Sequence, residues 1–310
     1  MRWPTPARED DVVHAPVVGA TIAAFAPGPE LVAGVEAVRG QVAAVVVVVD
    51  EHPVSDATRE VVERCRTAGA DVIEHPANRG IGAALNTGVA RLHEQRGDLS
   101  DVLTLDQDSA VPEGYVATLV AAGAAARTAG VAVGMVAPDS VGSMVRLPRL
   151  RSGPDGVRLG GEPIQSGLLV PVEVLQQTDG FDEALFIDGV DTDFYLRVRD
   201  LGRQCVVAPG TRLDHRLGQA ITVGEDRELP LLVASTFRYH YQWRNLVVLL
   251  RRHGRRHPVW AVLAIVRAAR HLAIVTLLAP GRRARLREAS GGLRAGLRGE
   301  VGARTGWSPR

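Results

Sequence analysis

The sequence predicts an α/β fold: a mainly parallel, Rossmann-like central sheet flanked by helices, followed by a helical carboxyl-terminal extension. Three observations predict it. Short apolar runs alternate with amphipathic stretches over the first hundred or so residues. Some of those runs are apolar on both faces, which marks central strands covered by helices on each side. From Phe237 to near Ala279 the chain keeps helical spacing.

The elements follow in order. Residues 1–15 read as a polar leader. Val17 to Phe25 is apolar and β-branched and is stopped by Pro27 and Pro29, a strand and then a loop. Leu31 to Val38 has helical spacing. Val42 to Val49 is an almost unbroken Val/Ala run ending at Asp50, which predicts a central strand. A helix over Ala57 to Ala68 and a short strand over Asp71–Glu74 come next. Gly82 to Glu94 predicts a helix, and Asp101–Leu105 a buried strand that runs into Asp106-Gln107-Asp108-Ser109. Ligands of parallel sheets bind at the carboxyl ends of the strands, so Asp50 and Asp106 are expected at one edge. Residues 139–163, rich in Gly, Pro, Ser and Arg, predict a loop or short hairpin. Regular structure returns at Val170 to Thr178.

Composition narrows the function classes. The chain has 310 residues, 46% hydrophobic and 23% charged, which is globular rather than disordered. All 36 basic residues are Arg, and the net charge is +1. That balance hides an asymmetry, because sixteen of the arginines and only two acids, Glu288 and Glu300, fall from Arg238 onward. A basic tail suits an anionic surface, while the acidic front would repel a polyanion, so no nucleic-acid partner is expected. Cys65 and Cys205 sit in no CxxC pattern, which speaks against a disulfide framework or a zinc site. The first residues lack the apolar core of a signal peptide, and no uninterrupted apolar stretch of about 18 residues occurs. A cytoplasmic protein is expected.

Three motifs carry chemistry. In the DQDS run, two carboxylates one residue apart follow the buried strand VLTL. Such a pair can bind one hard divalent cation, Mg²⁺ or Mn²⁺, that also holds substrate phosphates. A DxD alone is common in turns; the apolar strand before it places these acids at the ligand edge. The second motif is Asn78-Arg79-Gly80-Ile81-Gly82-Ala83-Ala84-Leu85-Asn86, small residues opening a helix. They suit either close approach to a phosphate or tight strand-to-helix packing. The spacing matches neither GxxxxGK[ST] nor GxGxxG, which excludes a P-loop and argues against a dinucleotide site. The third motif, Gly180 to Arg197 (GFDEALFIDGVDTDFYLR), holds five acids among apolar residues. It can supply a general base, or its acids can cap a helix. His215, in RLDHRLG, could serve as a metal ligand.

In this order the motifs resemble the inverting glycosyltransferases of the GT-A fold, family 2, and within them the rhamnosyltransferase-like branch. The resemblance runs from about Val17 to Gly218, roughly two thirds of the chain, and also takes in QSGLLV at Gln165–Val170. It implies a nucleotide-sugar transferase domain over residues 16–225 and a helical, Arg-rich region over 226–310. By position, Asp191 would be the catalytic base. Asp50 would bind the nucleotide base, Asp106 would contact the nucleotide, and Asn78 and Gly80 would lie near it. Asp108 and His215 would hold the metal. Ser166, Gly167 and Asp188 would lie near the sugar and acceptor. The implied donor is a nucleoside diphosphate sugar, with dTDP-rhamnose favoured, and the implied acceptor a lipid-linked or cell-envelope glycan. The first strand departs from the family's Tyr-Asn-Pro-like ending with Phe25-Ala26-Pro27, and Asp50 is followed by Glu51-His52-Pro53; both departures bear on base recognition.

Two rival readings have specific markers. Nucleotidyl transfer would place a basic residue in the opening loop, and AFAPGPE has none. A non-catalytic binding protein on a decayed transferase fold would have lost acids that Asp106, Asp108 and Asp191 retain. Towards the carboxyl end, Val259 to Leu278 is mostly apolar, but Arg267, Arg270 and His271 fall at i, i+3, i+4. Such a helix can lie in a membrane interface with its arginines at the headgroups. A peripheral position on the inner face of the cell membrane is the corresponding expectation.

Overall fold

The computed structural model describes residues 15–142, 145–146, 151–215, 219–223 and 227–304, and the side chains of 15–142, 151–214 and 233–304. Residues 1–14 of the 1–15 leader lie outside the described residues, as does part of the 139–163 segment.

The strands are β1 (Val18–Ala24), β2 (Ala44–Val49), β3 (Asp71–Glu74), β4 (Asp101–Asp106), β5 (Ser109–Ala110), β6 (Val133–Val141), β7 (Val145–Arg146), β8 (Arg151–Ser152), β9 (Arg158–Leu159), β10 (Leu168–Pro171), β11 (Gln204–His215), β12 (Gln219–Val223) and β13 (Arg227–Val233). The α-helices are α1 (Glu30–Arg39), α2 (Asp56–Thr67), α3 (Ile81–Gln95), α4 (Tyr115–Thr128), α5 (Val172–Gln177), α6 (Val190–Asp200), α7 (Arg238–His253), α8 (Pro258–Leu278) and α9 (Arg282–Arg298). The central sheet runs β3-β2-β1-β4-β10-β6-β11-β9-β8. Its first four strands are parallel, β10 is antiparallel to both neighbours, and β6 pairs parallel with β11. The fold is mixed α/β, with helices on both faces of the sheet and three more at the carboxyl end.

The two-sided core explains why the central strands are so uniformly apolar. On one face Ile22, Val47, Leu103 and Leu105 pack with Leu31, Val35, Val62 and Leu119 of α1, α2 and α4. On the other, Val46, Val48 and Val102 pack with Leu85, Val89, Phe194 and Val248 of α3, α6 and α7. All of Val45 to Val49 are buried, and each such side chain contributes about 1.5–3 kcal/mol.

Register aligns the strand ends that matter. Ala24 lies opposite Val49, and Ala23 lies opposite Asp106. The chain crosses from one side of β1 to the other between β3 and β4, and the crevice at such a switch point is where ligands of these sheets bind.

Beyond Ala279 the carboxyl end is again helical, inside the helical region expected over 226–310. Pro280 and Gly281 break the chain, and α9 then folds back onto α7. Its glycines diluted the periodic signal, yet they are what permits the packing. A Cβ at position 292 would sit 2.0 Å from the carbonyl oxygen of His240, and one at 296 would sit 2.7 Å from that of Arg244. α8 is also long and apolar enough to cross a membrane by length and composition, although Arg267, Arg270 and His271 interrupt its apolar run.

Candidate active site

Asp50, Asn78, Gly80, Asp106, Asp108, Asp188 and Asp191 line one cleft of about 820 Å³ at the carboxyl edge of the parallel strands. Three different layers of the fold supply them.

The first wall is built on Asp50. It follows β2 and is buried, and its carboxylate accepts three hydrogen bonds. Its Oδ1 accepts from the backbone N–H of Arg79 (2.8 Å) and from His75 Nδ1 (2.7 Å), and its Oδ2 accepts from the N–H of Gly80 (2.6 Å). His75 Nε2 in turn hydrogen-bonds Thr87 Oγ1 at 3.0 Å. Gly80 is left-handed (φ +89°), and a Cβ there would lie 2.3 Å from the carbonyl oxygen of Phe186. The N–H of Ile81 donates to that same carbonyl at 2.9 Å. Asn86 pairs with the backbone of Phe181 through both amide atoms, at 2.8 Å each. The small residues of the NRGIGAALN run therefore let the 180–186 segment close against α3, which is the packing alternative of the two left open by the sequence.

The floor is the DQDS turn. Gln107 Oε1 accepts from the N–H of Phe25 at 2.6 Å and ties this turn to the loop after β1. Ser166 lies behind the turn, buried, where its Oγ accepts from the N–H of Asp106 (3.0 Å) and bonds Ser109 Oγ (2.7 Å). Gly167 is left-handed (φ +82°), its carbonyl accepts from the Tyr115 hydroxyl at 2.8 Å, and a Cβ there would strike that hydroxyl. Ser166 and Gly167 thus brace the turn, while the neighbours Ile164 and Gln165 line the cleft. Gln165 is buried, and its Nε2 has no hydrogen-bond partner. The backbone of His215 pairs with Ser109; its side chain lies outside the described residues.

The second wall is the turn from Phe186 to Asp191. Phe186 and Asp188 both have φ +64° and Gly189 has φ +81°, a strained run of the kind found at functional sites. Helix α7 holds it in place. The side-chain amide of Asn245 donates to the carbonyls of Leu185, Ile187 and Asp188 at 2.9, 2.8 and 2.7 Å, and Arg244 donates to Leu185 at 2.8 Å. Arg238, at the start of α7, grips Asp188 with two hydrogen bonds, 2.5 and 3.1 Å. Burial works against the Arg238 charge, but Asp188, Asp106 and Asp191 outweigh it and raise its pKa.

Asp191 sits in the first turn of α6, and its Oδ1 accepts from the N–H of Thr192 at 2.8 Å. Burial, with the negative charges of Glu162, Asp188 and Asp106, pushes its carboxyl up to about 7. A carboxyl near neutrality is poised to exchange a proton at physiological pH. The other acids of the segment have structural partners. Asp193 is buried and bonds His253 (2.9 Å) and Arg197 (2.7 Å); burial would raise its pKa, but these partners bring it down. Asp182 pairs with Arg252, and Glu183 with Arg79 and Asn86.

Among the described residues there is no group of three or more His, Cys, Asp or Glu side chains arranged to hold a metal. Magnesium does not need one, since it takes one or two carboxylates together with substrate phosphates and water. The acids that raise Asp191 show that the cleft carries excess negative charge, so Asp106 and Asp108 fit a divalent cation.

Sequence reasoning missed Arg238, Gln242 and Asn245. They recur at i, i+4, i+7, so they form one polar stripe on α7, but the Arg-rich surroundings masked it. Gln165 was missed because nothing in QSGLLV separates a brace from a cleft-facing side chain. The stripe on α8 also faces differently from the expectation. Arg267 pairs with Glu162 at 3.1 Å, and His271 lines the cleft and stacks on Tyr239 at 6.1 Å between ring centroids. Two of its three polar residues therefore turn toward the domain rather than toward headgroups.

A parallel sheet whose strand ends and flanking turns gather acids into one cleft defines a class, the Rossmann-like α/β domains that bind ligands at the carboxyl edge of the sheet. Residues 22–160, a little under half of the chain, match the family model "Glycosyl transferase family 2". A 90-residue stretch is 33% identical to "dTDP-rhamnosyl transferase RfbF" of Shigella flexneri, covering 29% of this chain and 30% of that protein, so the match spans less than a third of that curated relative. Among solved structures, S. aureus TarS aligns with 90% of this chain and 55% of its own (TM-score 0.48, 15% identity), and S. aureus TarS 1-349 with 92% of each (TM-score 0.47, 16% identity).

Proposed function

We propose that the chain is a glycosyltransferase that moves a sugar from a nucleoside diphosphate to an acceptor hydroxyl in one inverting displacement. The donor we propose is dTDP-rhamnose, supported by the 33% identity to the Shigella protein of that name. The acceptor we propose is a lipid-linked or cell-envelope glycan, met at the inner face of the membrane. One observation carries the reading: Asp106, Asp108 and Asp191 share a cleft in which the Asp191 carboxyl is held near neutrality.

A divalent cation on Asp108, with Asp106 beside it, would neutralise the donor diphosphate and the charge that develops as it leaves. The 78–80 loop, ordered by Asp50, and Phe25 at the cleft mouth receive the nucleotide. Arg238 adds a fixed positive charge, preorganised by its hold on Asp188. Asp191 keeps Oδ1 on the Thr192 N–H and takes the acceptor proton at Oδ2. The acceptor oxygen bonds the anomeric carbon as the bond from that carbon to the diphosphate oxygen breaks. Attack from the face opposite the leaving group inverts the centre.

The test is thermal stabilisation by a panel of nucleoside diphosphates and their sugars, each with and without Mn²⁺ or Mg²⁺. The expected result is a shift with dTDP and dTDP-rhamnose that requires metal. A metal-dependent shift with another base would replace the donor. Stabilisation by nucleoside triphosphates alone would replace transfer of a sugar with transfer of a nucleotide.

A further inference from the structure

We infer that α8 and α9 form a docking face for an anionic lipid bilayer, and that α8 is both part of that face and a wall of the active-site cleft. The inference deepens the transferase reading, because it rests on an acceptor that is lipid-linked.

The outer side of α8 is mostly apolar and bare, with one exposed arginine, Arg270, in line with its apolar residues. Val259, Val262, Val266 and Leu277 recur at helical spacing and are 67, 60, 55 and 81% exposed. On α9, Leu286, Leu293 and Leu297 fall at i, i+7, i+11, a single line along the helix, and all three are exposed. Arginines rim both stripes. Arg255 and Arg256 precede α8, Arg282 and Arg283 open α9, and Arg287 and Arg294 flank its leucines, all of them exposed. Apolar stripes bordered by arginine are what a helix lying in a headgroup layer requires. The 21 residues of α8 could also cross a bilayer by length. Its inner side speaks against that, because Arg267 is paired with Glu162, and His271 is in the cleft and stacked on Tyr239.

Charge selects a bilayer over a second copy of the chain. A two-fold contact places each patch against its own image, so the rim arginines would meet arginines. The acids available to relieve them after Arg238 are Glu288 and Glu300, and these already pair with Arg304 and Arg298.

The inner side of α8 links this face to the chemistry. Arg267 bonds Glu162, Glu162 accepts from the Thr192 hydroxyl, and Thr192 adjoins Asp191. A bilayer seated on the outer side would thus present a headgroup-linked acceptor within one helix width of the base.

The test is sedimentation of the full chain with vesicles of phosphatidylcholine alone and of phosphatidylcholine mixed with phosphatidylglycerol. Binding to the mixed vesicles, released by salt, and little binding to the neutral ones is expected. The double substitution Val262→Asp/Val266→Asp is expected to weaken binding about 30-fold or more. Arg282→Ser/Arg283→Ser should weaken it about 30-fold at low salt. Both should keep the nucleotide-dependent thermal shift. A chain that stays in the supernatant with both lipids, or variants that bind as well as the parent, would overturn the inference. So would a dimer in sedimentation velocity that Val262→Asp/Val266→Asp dissolves, since it would assign the face to a second copy. Vesicle binding with no thermal shift for any nucleotide would leave the docking face standing and remove the transferase reading instead.

Discussion

Asp50 and Asp191 line one cleft, and the fold treats their carboxylates in opposite ways. Asp50 accepts three hydrogen bonds from its own protein, two of them from backbone N–H groups. Asp191 accepts one from backbone and otherwise faces Glu162, Asp188 and Asp106. A carboxylate wrapped in donors is fixed and builds a loop. A carboxylate among like charges holds its proton and can trade it. The wall that binds is made rigid, and the wall that reacts is kept electrostatically uncomfortable.

The largest effect separates the two. Asp191→Asn should lower turnover by about 10²–10⁴-fold, the usual worth of a general base, while the donor-induced thermal shift persists. Near-normal turnover would move the base elsewhere and break the comparison. The same substitution carries a stability test with a definite sign. The folded-state carboxyl, at about 7, lies above its unfolded value, so the folded protein binds this proton more tightly. The associated stability is full below the unfolded pKa and is lost as pH rises through about 7. Asp191→Asn should therefore raise Tm at pH 8 and leave it almost unchanged at pH 4. Because the base must be ionised, kcat/KM should fall about tenfold per pH unit below that pKa, and a bound cation should move the acid limb lower.

Asp108→Asn comes next. It should reduce metal-dependent turnover by about 10²-fold or more, because it removes a ligand of a cation that supplies several kcal/mol. An unchanged Mn²⁺ titration would take Asp108 out of that role. Asp50→Asn is smaller in kind. One amide oxygen cannot serve every donor the carboxylate serves, so stability should fall by about 1–3 kcal/mol, lowering Tm by roughly 2–4 °C for each kcal/mol. Loss of turnover without loss of Tm would show Asp50 acting directly on the nucleotide.

These contrasts were only partly legible in the sequence. The Val42–Val49 run and VLTL placed Asp50 and Asp106 at one edge, because a strand apolar on both faces has one place in such a fold. The separation of Asp188 and Asp191 from Asp182, Glu183 and Asp193 was not legible. It depends on Arg252, His253 and Arg79, which reach the segment from α7 and from the 78–80 loop. Nor could the facing of the α8 stripe be read, since helical periodicity gives which residues share a side but not what that side meets. Arg267 and His271 found an acid and an aromatic ring inside the fold, and the apolar side was left outward.

Gln165 offers the finest test. Its amide is buried in the cleft lining with Nε2 unpartnered, an arrangement that costs about 1–3 kcal/mol unless something accepts that hydrogen bond. A donor sugar hydroxyl or phosphate oxygen is the acceptor such a position would meet. Gln165→Leu should then raise the donor KM about five- to tenfold with kcat little changed, because an interaction made equally in ground and transition state acts on binding alone. Tm without donor should hold or rise, since a buried orphan donor has been replaced by an apolar group of similar size. A fall in Tm with KM unchanged would mean that the amide braces the floor as Ser166 does. The wall that binds would then extend one residue further toward the sugar than the comparison with Asp191 allows.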